Sequence, residues 1–441
     1  MRKILISSIF TCLILEIITS MSYANTNSFI WTPYDLTQTV SADLNETDLK
    51  LESGSAILIE QNSGKVLYEY NSHEQLRPAS VTKVMSILLI MEALDSNRIS
   101  LEDKVPCSEN AASMGGSQIW LDVREELTVN EMLKAICVAS ANDCTVAMAE
   151  YLAGSEEAFV KKMNERAKEL GMNDTVFKNC HGLDTDGHVT SSNDIALMSR
   201  ELLKNHPSIT KYTTIWMDTL RAGKSELTNT NKLIRNYKGA TGLKTGSTGL
   251  ALYNLSASAT RDGLSLIAVI MKAPSTQIRF AEAQKLLDYG FSNYAYTSFA
   301  KKGTVLKQIA VNKGVENSVN VIFKEDAGCV LRKGMEQNIE QIIDLPNEIS
   351  APVEEGQILG EIKYVLNGET IGKVELVSDK TVKKVSLSNM NEKLFFSWFS
   401  LLRWHNGDVS RHGDGEDVFL LRPRVLKRPR CVTRCIIYKV E

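Results

Sequence analysis

The rhythm of apolar and polar positions changes several times along the chain. Apolar-rich runs at 56–60 and 65–70 flank Gln61-Asn62-Ser63-Gly64, a pattern that predicts two strands joined by a turn. From Ser80, the residues Val84, Leu88 and Met91 recur at helical spacing with Val81, Met85 and Leu89 beside them, so this helix is apolar nearly all round and is expected to be buried. Thr128-Val129-Asn130-Glu131 fits a capping box that launches a second helix through Ala139, and 143–152 continues as another, which leaves Ser140 and Asn142 on the joint between them. Segments 161–170, 191–203 and 278–287 read as helices, while 253–259 and 265–271 read as strands about the turn Arg261-Asp262-Gly263. Helices mixed with antiparallel strands in this way indicate an α/β (α+β) sandwich.

Beyond about Tyr294 the pattern shifts to short strands at 308–311, 319–324, 341–345, 361–366 and 373–377, with Asn367-Gly368 as a tight hairpin turn whose residues accept positive φ. A second, smaller all-β domain is expected there. The segment 393–404 is crowded with Leu394, Phe395, Phe396, Trp398, Phe399, Leu401 and Leu402 around a narrow polar stripe; as a helix it would lie in a membrane interface rather than span it. Arg422, Arg424, Lys427, Arg428, Arg430 and Arg434 then form a basic run, expected to be disordered. The resulting division is 1–24 leader, 25–52 polar segment, 53–294 first domain, 295–388 β domain, 389–405 amphipathic segment and 406–441 basic tail.

A length of 441 residues exceeds what one core normally serves, in keeping with two domains. The net charge of -3 gives no reason to expect nucleic-acid binding. Arg2 and Lys3 precede an apolar run from 4 to 18, and Ser22-Tyr23-Ala24 supplies the small residues of a cleavage site, so export is expected, with removal after Ala24. The run is short for a span and is interrupted by Glu16. Of eight cysteines, Cys12 leaves with the leader, and the odd remainder leaves at least one thiol unpaired within the chain. Cys107, Cys137, Cys144, Cys180 and Cys329 match no zinc spacing and read as small buried hydrophobes.

Three short motifs carry chemistry. Ser80-Val81-Thr82-Lys83 puts a hydroxyl and an amine on one face of the buried helix, close enough for the amine to take the hydroxyl proton. Ser140-Ala141-Asn142 sits on the interhelical joint, and Lys244-Thr245-Gly246 opens a strand. S-x-x-K, S-D-N and K-T-G together are a signature of class A β-lactamases and penicillin-binding proteins, and Ser140-Ala141-Asn142 stands at the place of the second. They stand here in that order, roughly 60 and 100 residues apart, at a helix start, a helix joint and a strand start.

On these motifs, with Arg77-Pro78-Ala79-Ser80, Gly115-Gly116-Ser117-Gln118, Asn179, Gly182-Leu183-Asp184 and Gly242-Leu243-Lys244-Thr245-Gly246-Ser247-Thr248, the chain resembles the D-alanyl-D-alanine carboxypeptidases. These belong to the low-molecular-mass penicillin-binding group, serine peptidase family S11, and the likeness is greatest to versions from spore-forming Gram-positive bacteria. It runs from about Ser53 to Ser388; Leu121-Asp122-Val123-Arg124 stands where relatives often carry a Pro-Gly turn, and nothing past about Arg403 resembles the family. The resemblance implies a penicillin-binding/β-lactamase-like transpeptidase fold, an antiparallel sheet flanked by helices. It further implies that Ser80 attacks the carbonyl between two terminal D-alanines and is acylated, with Lys83 as proton acceptor. Ser140 would relay a proton to the leaving amine, and Asn142 would hold the substrate amide and Lys83. Lys244 and Thr245 would bind the terminal carboxylate, the N–H groups of Ser80 and Ser247 would form an oxyanion hole, and Gly246 would let that backbone approach. The implied partners are a peptidoglycan stem peptide ending in D-Ala-D-Ala, β-lactams as covalent inhibitors, and the outer face of the cytoplasmic membrane. No cofactor or metal is called for.

Three other readings weigh against this one. A β-lactamase would need a deacylating base, and Glu169 with Asn173 has the usual spacing, but Glu169 falls on an amphipathic helix as a solvated residue. A metal peptidase could use His181, Asp184, Asp186 and His188, yet no H-E-x-x-H helix accompanies them. A silent wall-binding module would hold D-Ala-D-Ala without reacting, which the full set of reactive groups disfavours.

Overall fold

The computed structural model describes residues 49–335 and 338–385. The expected leader, the aromatic segment and the basic tail lie outside the described residues, as does nearly all of the polar segment. The chain divides into two compact units. One holds the described residues up to Thr304 with Phe323–Asp344 and Gly360–Glu375; the other holds Val305–Ile322, Leu345–Leu359 and the described residues from Leu376.

The first unit is built on a five-stranded antiparallel sheet. Its strands β1 (Ser55–Glu60), β2 (Val66–Tyr70), β3 (Ala240–Thr248), β4 (Leu252–Arg261) and β5 (Leu264–Ala273) lie in the order β2-β1-β5-β4-β3. The expected hairpin joins β1 and β2, with Gly64 supplying the positive φ of 79° that the turn requires. Successive side chains on a strand point to opposite faces, and both faces of this sheet are covered. Ile57, Ile59, Ile267, Val269 and Met271 enter one core. Ala56, Leu58, Leu266, Ala268 and Ile270 enter the other. Two-sided burial is why these strands read as continuous apolar runs and not as an alternation.

Helix α1 (Lys83–Asp95) runs through the first core, where Val84, Met85, Ile87, Leu88, Ile90 and Met91 are buried, as its apolar circumference predicts. The expected helix does not begin as one: Ala79–Thr82 form a 3-10 turn, and regular α geometry starts at Lys83. Helix α2 (Val129–Lys134) carries the predicted capping box, with the Thr128 hydroxyl accepting from Glu131 N at 3.1 Å and the Glu131 carboxylate accepting from Thr128 N at 2.9 Å. The helix then widens into a π turn, Ala135–Ala139, in place of the expected α continuation, and α3 follows over Asn142–Ala153. Nothing in Ala-Ile-Cys-Val-Ala favours a wider turn locally; its effect is to carry the chain into Ser140. Helices α4 (Glu156–Glu169) and α5 (Ser192–Asn205) complete this layer, α5 being tied to β4 by Ser199 Oγ and Ser256 Oγ at 2.8 Å. On the opposite face lies α6 (Thr276–Asn293), whose Phe280, Ala283, Leu286 and Leu287 fill the second core.

After Asn293 the named elements are all strands: β6 (Tyr294–Ala300), β7 (Val305–Asn312), β8 (Ser318–Phe323), β9 (Ala327–Arg332), β10 (Ile339–Asp344), β11 (Glu348–Ser350), β12 (Ile358–Leu366) and β13 (Glu369–Ser378). In the first unit β6 pairs with β9, and β10 with β12, both antiparallel. In the second, β7 pairs antiparallel with β8 and parallel with β11. Asn367 and Gly368 take the expected positive φ, 52° and 85°, between β12 and β13. The C-terminal region is therefore all-β. The sequence pattern misses β6 and β9, whose aromatic or mixed composition lacks clean alternation.

Because the Leu88 side chain on α1 is fully buried in the first core, Leu88→Ala should lower unfolding free energy by about 2–5 kcal/mol in a urea titration, the range for a core leucine that leaves a partly relaxed cavity.

Candidate active site

Ser80 lies on the 3-10 turn, and Lys83, as the first residue of α1, points its amine back over it. Lys83 Nζ donates to Asn142 Oδ1 at 2.5 Å and to the carbonyl oxygen of His181 at 2.7 Å, and lies 3.0 Å from Ser80 Oγ, whose O–H can donate to it when the amine is neutral. The amine is fully buried. Burial, and secondly the positive charge of Lys244, pushes its pKa well below the ordinary lysine value. A depressed pKa leaves a neutral amine with a lone pair, 3.0 Å from a hydroxyl. That pair can deprotonate the serine.

Asn142, the first residue of α3, is fixed from both ends. Its Nδ2 donates to Gly115 O at 2.6 Å, and its backbone N donates to Ser117 O at 2.7 Å. The segment Gly115–Ser117 is thereby locked to the start of α3. Asp143 continues the clamp, its carboxylate accepting from Ile119 N and Leu121 N at 3.1 Å each. Ser140 precedes this helix in left-handed conformation, φ 64°, an uncommon state for a serine that a surrounding structure must enforce. Its hydroxyl is buried and has no hydrogen-bond partner among the described residues, so it is available to a bound molecule.

Strand β3 brings the third motif. Lys244 is fully buried, its Nζ donating to Thr245 O at 3.0 Å, and burial lowers its pKa to about 7. Thr245 Oγ1 donates to Thr230 Oγ1 at 2.7 Å. Gly246 faces the nucleophile turn so closely that a Cβ there would lie 2.8 Å from Val81 N and 2.9 Å from Pro78 O and Ser80 N. Only a glycine lets the strand pass the N–H of Ser80 at this distance. Ser247 follows it and is exposed.

The loop from Asn179 to His188 closes the group. Gly182, at φ 92°, packs against the nucleophile turn, where a Cβ would lie 1.9 Å from Ala79 O. Asp184 Oδ1 accepts from Thr248 Oγ1 at 2.9 Å. The four candidate metal ligands of this loop have other partners. His181 Nε2 lies 3.4 Å from Glu156, His188 Nε2 lies 2.9 Å from Thr82 Oγ1, and Asp186 faces Arg77 at 3.4 Å. Glu169 ends α4 and pairs with Arg166 at 3.1 Å on an exposed face, where it serves as an ordinary helix residue. All five described cysteines are buried and unpaired.

Ser80, Lys83 and Asn142 thus share direct hydrogen bonds, Lys244 acts on Lys83 through its charge, and Gly246 touches the Ser80 turn. Sequence reasoning misses four contributors: the His181 carbonyl, Thr230, Asp143 and Arg279. A backbone acceptor leaves no mark in the sequence. Arg279, on α6, is buried and donates to Gly246 O and Asn254 O at 3.2 Å each, bracing β3 from behind; a lone arginine in a helix gives no signal of that.

Comparison with known proteins gives the family. The family model for peptidase S11, D-alanyl-D-alanine carboxypeptidase, matches residues 36–275, and that for the penicillin-binding protein 5 C-terminal domain matches 294–384. The chain belongs to the S11 D-alanyl-D-alanine carboxypeptidase family. Within this family it is 44% identical to the D-alanyl-D-alanine carboxypeptidase DacF of Bacillus subtilis over 80% of this chain and 91% of that one. Identity to DacC of Escherichia coli is 32%, over 86% and 93%. Among solved structures, penicillin-binding protein 5 from Haemophilus influenzae matches with TM-score 0.65 and 30% identity, covering 76% of this chain and 98% of that one. Penicillin-binding protein D2 from Listeria monocytogenes, solved in an ampicillin-bound form, matches with TM-score 0.51 and 31% identity over 55% and 99%.

Gly246→Ala should displace β3 from the Ser80 turn and lower D-alanine release by roughly 100-fold or more, as misplacement by about 1 Å does elsewhere, while the thermal unfolding midpoint moves by only a few degrees.

Proposed function

We propose that this S11 carboxypeptidase removes the terminal D-alanine from peptidoglycan stem pentapeptides through an acyl-enzyme on Ser80. The observation that carries the reading is the single buried amine of Lys83 joined to both Ser80 Oγ and Asn142 Oδ1. Ser80 Oγ attacks the carbonyl carbon between the two D-alanines and its proton passes to the Lys83 amine. The oxygen that becomes negative is stabilised by the N–H groups of Ser80 and Ser247, donors already in place when charge develops. The amide C–N bond breaks as the proton taken up by Lys83 passes through Ser140, whose buried hydroxyl has no hydrogen-bond partner among the described residues, to the leaving nitrogen. Free D-alanine departs. Water then attacks the ester carbonyl carbon and gives a proton to Lys83; the C–O bond to Ser80 breaks and that proton passes on to the departing Oγ, which restores the Ser80 hydroxyl and the neutral amine and leaves the shortened peptide with a new terminal carboxyl group.

Lys244 and Thr245 hold the terminal carboxylate. A Lys244 pKa of about 7 means that part of the free enzyme carries a neutral amine there near neutral pH, and the arriving carboxylate favours the charged form. Asn142 holds the substrate amide on the other side. A penicillin follows the same first step: its lactam carbonyl is attacked, and the ring-opened acyl group stays on Ser80. Support comes from the Listeria relative solved with ampicillin and with cefotaxime.

Action outside the cytoplasm, peripheral on the outer face of the membrane, is the matching location. It rests on the leader-like start of the chain and on the aromatic-rich segment 389–405. Among the described residues no helix is long and apolar enough to cross a membrane. The catalytic region 53–294 followed by a β domain at 295–388 is the division this reading uses.

Incubating the protein with a stem pentapeptide should release free D-alanine, and Ser80→Ala should abolish both that release and labelling by a fluorescent penicillin without loss of folded structure. Undiminished release by Ser80→Ala would overturn the assignment.

A further inference from the structure

Of the three groups that hold the Lys83 amine, two are side chains from the sequence motifs and the third is the main-chain oxygen of His181. A loop carbonyl can place an amine only as well as the loop itself is placed. The contacts around this peptide converge on Glu156. Glu156 Oε1 accepts from Cys180 N at 3.1 Å and lies 3.4 Å from Nε2 of the His181 ring. The ring's other nitrogen, Nδ1, accepts from Leu183 N at 3.1 Å, so the hydrogen of the neutral ring sits on Nε2 and faces the carboxylate. From the opposite side Ser86 Oγ, on α1, donates to Cys180 O at 2.6 Å. Glu156 itself stands on a fixed support, the first turn of α4, whose N-cap Ser155 accepts from Ala158 N.

We propose that Glu156 is a positioning residue for acylation: it grips the Cys180–His181 segment so that the His181 carbonyl holds the Lys83 amine on Ser80. The inference rests on Lys83 being the proton acceptor for Ser80. Glu156 touches neither substrate nor the reacting atoms. Its effect is geometric and requires an acceptor oxygen, not a charge. A glutamine at this position keeps an oxygen that can accept from Cys180 N, whereas an alanine leaves that donor unanswered and the ring free to turn.

The test is the rate of acylation by a fluorescent penicillin for Glu156→Ala, Glu156→Gln and Lys83→Ala beside the parent, with thermal unfolding of each. Glu156→Ala should acylate about 10-fold or more slowly while Glu156→Gln stays within about 3-fold of the parent, the loss expected when a reacting group is held loosely. Should the alanine variant fail to fold, Glu156→Asp decides in its place: it keeps the charge and suits a helix N-terminus but withdraws the oxygen, and it should be slow where Glu156→Gln is not. Parent-like acylation by Glu156→Ala, or equal losses in the Ala and Gln variants, would overturn the proposal. Lys83→Ala should not be labelled. Labelling of it at the parent rate would remove the proton-acceptor role and the Glu156 proposal with it, while slow Lys83→Ala beside fast Glu156→Ala would leave that role standing and sink Glu156 alone.

Discussion

The site depends on keeping a lysine amine out of water without letting it ionise. An ammonium moved into a protein interior costs several kcal/mol unless it is fully paired, and Lys83 has no carboxylate among its direct hydrogen-bond partners. Its neighbours are a hydroxyl, an amide oxygen and a peptide oxygen, all uncharged. The second buried lysine, Lys244, works in the same direction. Uncharged acceptors orient the amine, and burial with a like charge keeps its proton off. The same environment that lowers its basicity thus makes it useful at ordinary pH.

Much of the fold exists to hold three chain segments against this amine. The apolar α1 roots Lys83 in the first core, the π turn after α2 delivers Ser140 and Asn142, and β3 presents Lys244 to Ser247 along the sheet edge. Two glycines permit the close approach: Gly246 lets the strand meet the nucleophile turn, and Gly182 lets the loop after Asn179 do so from the other side. Side chains at either point would wedge the site open. The helix layer and the α6 layer cover opposite faces of the sheet, so β3 is braced from behind, where Arg279 reaches Gly246 O.

What the sequence discloses and what it hides follow from the kind of interaction involved. Side-chain chemistry is written in residue identity, so Ser80, Lys83, Asn142 and Lys244 can be found from three short motifs. The strands β1 and β5 and the capping box at Thr128 are likewise legible in the residue pattern. Main-chain roles are not. The His181 carbonyl, the 3-10 start at Ala79 and the π turn at Ala135 arise from packing, which overrides local preference and leaves no periodic trace. Thr230 and Arg279 are common residues in unremarkable settings, and only their distances to β3 give them meaning.

The pH dependence of acylation by a penicillin tests the neutral-amine account most directly. As pH rises through the depressed pKa, Lys83 loses its proton and the rate should climb, reaching its plateau well below pH 10.5, the ordinary lysine value. A rate that keeps rising with a midpoint near 10.5 would show an ordinary, charged Lys83 and contradict the account.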